Sequence, residues 1–381
     1  MTSITSVTAK TVFVLLLFLG TSLGFGQTRM LSQNSRVSVI TCGTGNESYS
    51  LFGHTAIRIS DPDNYIDAVF NYGAFDFNTP NFVPKFAKGD LEYFAVAHNY
   101  SDFINEYTYE KRSVYEQELL ISTSAKQQLF DNLRTALASG DSHYTYKFID
   151  KNCTSMVVDI INKTLGSTVI TKKSDTDITY RSILYPYFDN HFYEKLGTSI
   201  IFGTKVDQSG TRIFLPFELL KSLQAIQFQN KPLAQKPKTL LEFKEATPTS
   251  WWNNVYTYIA FLLLIVLLNK KPIHQIYFIT MGILGLFFIF MGWYSNHLEL
   301  EYNYNILLFN PALLLLAAFY VKNNSRWIYK TALFNILCLL VYCLLLINKA
   351  HFLIVLPLIV TSAFLLIRLA LKNKKRIPII M

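Results

Sequence analysis

Cys153 stands where a cysteine can become a nucleophile. The run Asn152-Cys-Thr-Ser-Met-Val-Val-Asp-Ile-Ile-Asn-Lys-Thr-Leu-Gly166 repeats Met156, Val157, Ile160, Ile161 and Leu165 at helical spacing. Asn152 is a preferred N-cap residue and Gly166 a C-terminal stop, so the pattern predicts a helix with the thiol in its first turn. There the positive end of the helix dipole favours thiolate, and backbone N–H groups of the turn can hold an oxyanion. Such a thiol needs a base. Residues 27–250 contain the histidines His54, His98, His143 and His191. His54 opens the alternating run His-Thr-Ala-Ile-Arg-Ile59, and Tyr65-Ile-Asp-Ala-Val-Phe-Asn-Tyr72 reads as the next strand. The turn signal Asp61-Pro-Asp-Asn64 lies between them. Pairing Ser60 with Tyr65 places His54 opposite Asn71 on one face, where a carboxamide bonds one imidazole nitrogen and leaves the other for the thiol proton. A one-residue slip brings in Phe70 or Tyr72 instead. His143, ahead of Cys153, is the competing base. The bland alternative for Cys42 and Cys153 is a disulfide.

The rest of the chain says where this chemistry takes place. Its 381 residues are 51% hydrophobic and 16% charged, with mean hydropathy +0.24 and net charge +9. Soluble domains carry roughly a quarter charged residues, so an ordinary soluble enzyme is excluded. The charge is uneven. Residues 27–250 hold 23 Lys and Arg against 24 Asp and Glu, while the remainder holds 12 against 2. Those basic residues flank apolar runs, which replaces a nucleic-acid reading with a membrane one.

Residues 1–26 read as a signal peptide, 27–227 as an exported domain and 228–250 as a polar, proline-containing tether. Residues 251–371 hold five expected spans, at about 251–268, 276–294, 304–321, 327–347 and 351–371, before a basic tail 372–381. Trp251, Trp252, Trp293, Tyr294, Tyr302, Tyr304 and Trp327 mark their ends as interfacial belts do. The flanks assigned inside hold ten Lys and Arg from Lys270 to Arg376, and the outer loops only Lys349. The exported domain therefore faces away from the cytoplasm. Cys338 and Cys343 lie within the fourth span and read as packing residues. Pro311 and Pro357 lie within spans as tolerated kinks.

Several motifs in order carry a resemblance: Thr41-Cys-Gly-Thr-Gly-Asn-Glu-Ser-Tyr-Ser-Leu-Phe-Gly-His54-Thr-Ala-Ile-Arg-Ile59, Phe70-Asn-Tyr-Gly-Ala-Phe-Asp-Phe77, Arg112-Ser-Val-Tyr-Glu-Gln-Glu-Leu119 and Asn152-Cys153-Thr. Across about 36–220 the chain resembles the Lnb N-terminal periplasmic domain, and the membrane part matches as well. The resemblance implies an α+β, permuted papain-like thiol domain of the lecithin:retinol acyltransferase type, an antiparallel sheet with packed helices, followed by an all-α domain of about five transmembrane helices. It implies Cys153, His54 and Asn71 as catalytic residues. The implied activity is lipoprotein N-acylation at the bacterial inner membrane, with the catalytic domain in the periplasm. A phospholipid would donate an acyl chain through a Cys153 thioester to the α-amine of an apolipoprotein, with no metal or cofactor. Asn46, Glu47, Tyr72, Asn152, Arg112, Gln117 and His297 are the expected substrate-facing residues. The competing reading is a membrane-tethered cysteine amidase or peptidase acting on envelope peptides; a non-catalytic scaffold with the disulfide is a third.

Overall fold

The computed structural model describes residues 29–375, apart from 48, 140, 141 and 245–249. The expected signal peptide and the end of the basic tail lie outside the described residues. Strands β1 (Arg36–Cys42), β2 (His54–Asp61) and β3 (Ile66–Ala74) come first. Helix α1 (Phe82–Lys88), β4 (Glu92–Asn99), α2 (Tyr100–Tyr109) and β5 (Val114–Glu118) follow. Next are α3 (Thr123–Ser139), β6 (Tyr144–Thr145), α4 (Cys153–Leu165), α5 (Tyr180–Leu184), α6 (Phe192–Ile201) and α7 (Pro216–Ala225). A small hairpin, β7 (Gln227–Phe228) and β8 (Lys231–Pro232), precedes β9 (Lys238–Leu241).

Apart from the hairpin, the strands form one antiparallel sheet in the order β6-β4-β3-β2-β1-β5-β9. Alternation along the strands buries both faces. Val37, Val39, Ile57, Ile59, Phe70 and Tyr72 pack with Val157 and Ile161 of α4. Ile40, Cys42, Ala56 and Val69 pack with Phe103 and Tyr107 of α2.

The β2–β3 register differs from the expected pairing. Asp61 pairs with Ile66, so Asn71 lies opposite Ala56, two residues from the position predicted for it. Asp61 sets this register: its carboxylate accepts from Ser32 N, Ser32 Oγ and Asn64 Nδ2 at 2.6–2.7 Å, which draws it into the strand. The turn then closes over Pro62–Asn64 with Tyr65 at φ 53. Because the side-chain period is two, this displacement keeps Asn71 on the expected face.

The tether is a second difference. Part of 228–250 forms β9, pairing Lys238 with Glu116 and Thr239 with Tyr115. An extended segment there satisfies the backbone groups that β5 would otherwise expose at the sheet edge.

Beyond it lie five apolar helices: α8 (Val255–Leu268), α9 (Lys271–Tyr294), α10 (Ala312–Val321), α11 (Ser325–Leu346) and α12 (Phe352–Lys374). Among the described residues four segments are long and apolar enough to cross a membrane, with α10 counted from Leu298. The first predicted span yields only a 14-residue helix, because Asn254 caps it at Thr257 and Tyr256. At 1.5 Å per residue it reaches about 21 Å, short of a hydrocarbon core of roughly 30 Å.

The α9–α10 loop is fastened to the sheet domain. Ser295 Oγ donates to Ala87 O at 2.7 Å, Asn296 N to Lys88 O at 2.7 Å and Lys147 Nζ to Asn296 O at 3.0 Å. The buried Glu299 carboxylate accepts from Ile149 N at 3.2 Å. Gly203 is required in this seam, since a Cβ there would lie 1.8 Å from Glu301 O.

Candidate active site

Helix α4 begins at Cys153, as its N-cap residue requires. The Asn152 Oδ1 accepts from Thr154 N at 3.0 Å and Ser155 N at 3.1 Å, and Ser155 Oγ accepts from Asn152 N at 2.8 Å, which completes a capping box. Asn152 Nδ2 donates to Phe148 O and Phe214 O. Its amide is therefore fully used, and Asn152 is a scaffold residue with no group left for substrate. Gly166, at φ 70, ends the helix.

The half-buried Cys153 thiol sits beside His54, both close to Gly73. Burial raises the thiol's pKa, but the His54 charge and hydrogen bond, the Thr55 backbone and the Thr154 hydroxyl outweigh it and hold the thiol below its ordinary value. His54 responds in the opposite sense. Burial lowers it, yet the Cys153 charge and the bonds to Cys153 and Asn71 raise it above the usual histidine range. Each shift favours a thiolate beside an imidazolium. His54 Nε2 meets Asn71 Oδ1 at 3.1 Å, which leaves Nδ1 for the thiol.

The meeting point is set by a glycine. By strand alternation His54 and Asn71 share the α2 face with Ala56 and Val69, whereas Cys153 lies with the α4-side core. They meet at the end of the sheet, where β3 breaks register between Tyr72 and Ala74 and Gly73 takes φ 114. A Cβ on Gly73 would lie 3.6 Å from Cys153 Cβ and 3.9 Å from His54 Cε1. Those are ordinary contacts, so it is the φ, which L side chains rarely adopt, that calls for glycine where base and thiol come together. A glycine interrupting a strand pattern signals such an approach, and that cue was present in the sequence.

Two family models match the chain. The model described as the Lnb N-terminal periplasmic domain matches residues 27–185, and that described as the Lnb transmembrane domain matches residues 242–375. The chain belongs to the Lnb family. Neither a curated protein nor a solved structure matches it. As an Lnb-family member it is a membrane-anchored protein with a periplasmic N-terminal domain and a transmembrane C-terminal domain.

In this Lnb chain the other expected residues divide into wall and scaffold. Tyr72 is buried, with its pKa pushed up to about 12 by burial, and belongs to a tyrosine wall near Cys153. Tyr72 and Tyr144 ring centroids are 6.5 Å apart, Tyr93 and Tyr144 6.1 Å, and Tyr93 stacks on Tyr146 at 4.5 Å. His297 lies behind this wall, 6.5 Å from the Tyr146 ring, with Nε2 3.0 Å from Phe86 O. It joins the two domains. Arg112 is buried, donates to Gly43 O and pairs with Glu110, so it braces the loop before β2. Gln117 is buried on β5 opposite Val39. Asn46 and Glu47 are exposed on the loop that Gly45 N and Ser50 O close.

His143 packs on Phe94 at 5.5 Å. Cys42 is a free, fully buried thiol, as its raised pKa of about 12 reflects, and Cys153 is free as well. The sequence reading missed His98, whose Nδ1 accepts from Asn71 Nδ2 at 3.3 Å and so turns the carboxamide oxygen toward His54.

Proposed function

We propose that this protein is a membrane-bound acyltransferase in which Cys153 is the nucleophile, His54 the base and Asn71 the group that orients the imidazole. The observation that carries the reading is Cys153 at the start of α4 beside His54, with His54 Nε2 held 3.1 Å from Asn71 Oδ1, one tyrosine layer away from the α9–α10 loop of the transmembrane domain. A thiolate so close to the membrane domain suits a lipid ester, and the apolar tyrosine wall suits an acyl chain. The strand-borne histidine before a helix-borne cysteine fits the permuted papain-like plan. The five apolar helices fit five passes of the inner membrane, with tilt or local thinning accommodating the short first one.

In the first half-reaction the Cys153 thiolate attacks the carbonyl carbon of a phospholipid ester. The C–S bond forms, the glycerol C–O bond breaks, and the His54 Nδ1 proton goes to the leaving oxygen. The products are an S-acyl enzyme and a lysophospholipid. In the second, the neutral α-amine of a diacylglyceryl-cysteine attacks the thioester. The C–N bond forms, the C–S bond breaks and His54 takes the amine proton, restoring the ion pair. Excluding water from the tyrosine-lined site protects the thioester from hydrolysis.

The test is mass spectrometry of lipoprotein N-termini in cells whose sole candidate enzyme is wild type, Cys153→Ala or His54→Ala. N-acylated termini should appear with wild type alone. Their persistence with Cys153→Ala defeats the reading, and a peptide rather than an acyl adduct on Cys153 would establish the amidase alternative.

A further inference from the structure

One group beside the thiol has no part in the steps above. Tyr144 is 4% exposed, and its Oη is buried without a hydrogen-bond partner. Native folds satisfy nearly all such groups, and one left open beside a reactive pair has a use to be found. Its position is well defined. The phenol sits on β6, held by pairing with Tyr93 and by the rings of Tyr72 and Tyr93. The point where a Gly73 Cβ would stand is 4.0 Å from Tyr144 Oη, 3.6 Å from Cys153 Cβ and 3.9 Å from His54 Cε1. The thiol-bearing carbon, the base and the phenol thus converge on Gly73. Burial foremost, then the Cys153 charge, raises the phenol's pKa, so it stays a neutral donor and is a poor base.

We propose that the Tyr144 hydroxyl is a catalytic oxyanion donor, hydrogen-bonding the substrate carbonyl oxygen as it becomes anionic on attack by Cys153. The proposal rests on the acyl-transfer reading above. When the C–S bond forms, the carbonyl π pair moves onto oxygen. That charge develops beside Gly73, where a fixed O–H donor meets it without reorganisation. Collapse re-forms C=O and expels the glycerol oxygen, which takes the His54 proton. Attack of the amine on the thioester generates the same oxyanion at the same place, so one donor serves both half-reactions. The backbone N–H groups of Thr154 and Ser155 are already taken by Asn152. Tyr144 keeps its proton throughout.

The test uses full-length protein in detergent, comparing wild type with Tyr144→Phe, which retains the ring and removes only the hydroxyl. Two rates at Cys153 are read by intact and peptide mass spectrometry: acylation by vesicles of a diacyl phosphatidylethanolamine, and alkylation by iodoacetamide. Alkylation needs the thiolate but forms no carbonyl oxyanion. The expected result is an acylation rate lower by about a hundredfold with alkylation unchanged. An equal fall in both rates would make Tyr144 a structural support of the thiol pair and overturn the proposal. Unchanged acylation in Tyr144→Phe, with wild type acylated, would overturn it while leaving the acyl-transfer reading intact. A wild-type Cys153 that alkylates but never acquires an acyl group would end both.

Discussion

Removing the Asn71 carboxamide tests the orientation of the base directly. Asn71 is 7% exposed, and its Oδ1 lies 3.1 Å from His54 Nε2, so water cannot readily replace it in Asn71→Ala. Hydrogen bonds to charged groups contribute about 1.5–3 kcal/mol. At 1.4 kcal/mol per decade this corresponds to a loss of about tenfold to a hundredfold in acyl transfer to Cys153. The pH profile supplies the sharper signature. Cys153 is held below the ordinary thiol value and His54 above the ordinary histidine value, so the ion pair spans the interval between their two coupled titrations. The Asn71 bond is one of the contributions that raise His54. Without it the imidazolium deprotonates at lower pH, and its weaker hold lets the thiolate protonate at higher pH. The bell for acyl transfer should narrow from both sides, while iodoacetamide alkylation loses ground on its acid limb. An unchanged bell at an unchanged rate would show that Asn71 does not position His54.

Gly73 and the domain seam give two further tests. Gly73→Ala forces a side chain to φ 114 and puts a methyl 3.6 Å from Cys153 Cβ. Acylation of Cys153 should fall, by up to about a hundredfold where the strained backbone shifts the reacting pair by an ångström, with the protein still folded by thermal shift; activity near wild type would show that the Gly73 backbone does not position them. Arg181 is 1% exposed and pairs with Asp207 at 2.7 Å, whose other oxygen accepts from Tyr304 Oη at 2.5 Å. Arg181→Met should cost about 1.5–3 kcal/mol, less than a fully stranded carboxylate because Lys349 Nζ still lies 3.5 Å from Asp207, read as loss of thermal stability in detergent. Replacing Asp207 with Leu as well should recover part of it, and no recovery would place the cost in lost packing instead.

Much of the site was legible because its signals are local. An N-cap asparagine, apolar residues at helical spacing and a terminal glycine define α4 within fifteen positions, so Cys153 falls at its start whatever surrounds it. Hydropathy and the basic flanks are equally local and marked the apolar helices, although the capping Asn254 shortened the first. The choice of His54 over His143 also followed from strand pattern and motif order. What depended on distant contacts was out of reach. The β2–β3 register was displaced by two because Asp61 bonds Ser32, which no feature of the turn itself announces. Residues 238–241 became a strand only because β5 offered an edge to pair with.

Residue type and short-range periodicity therefore determined by themselves that a thiol would sit at a helix start, with a strand histidine as its candidate base and a membrane domain after it. Tertiary structure decided how they meet. A histidine and an asparagine of the α2 face reach a cysteine of the α4 face only at the sheet's end, where Gly73 has no side chain and Tyr144 leaves a hydroxyl open. The physical reason is that a helix cap is made by neighbours along the chain. The convergence at Gly73, by contrast, is made by residues from β2, β3, β6 and α4, and exists only once all of them are packed.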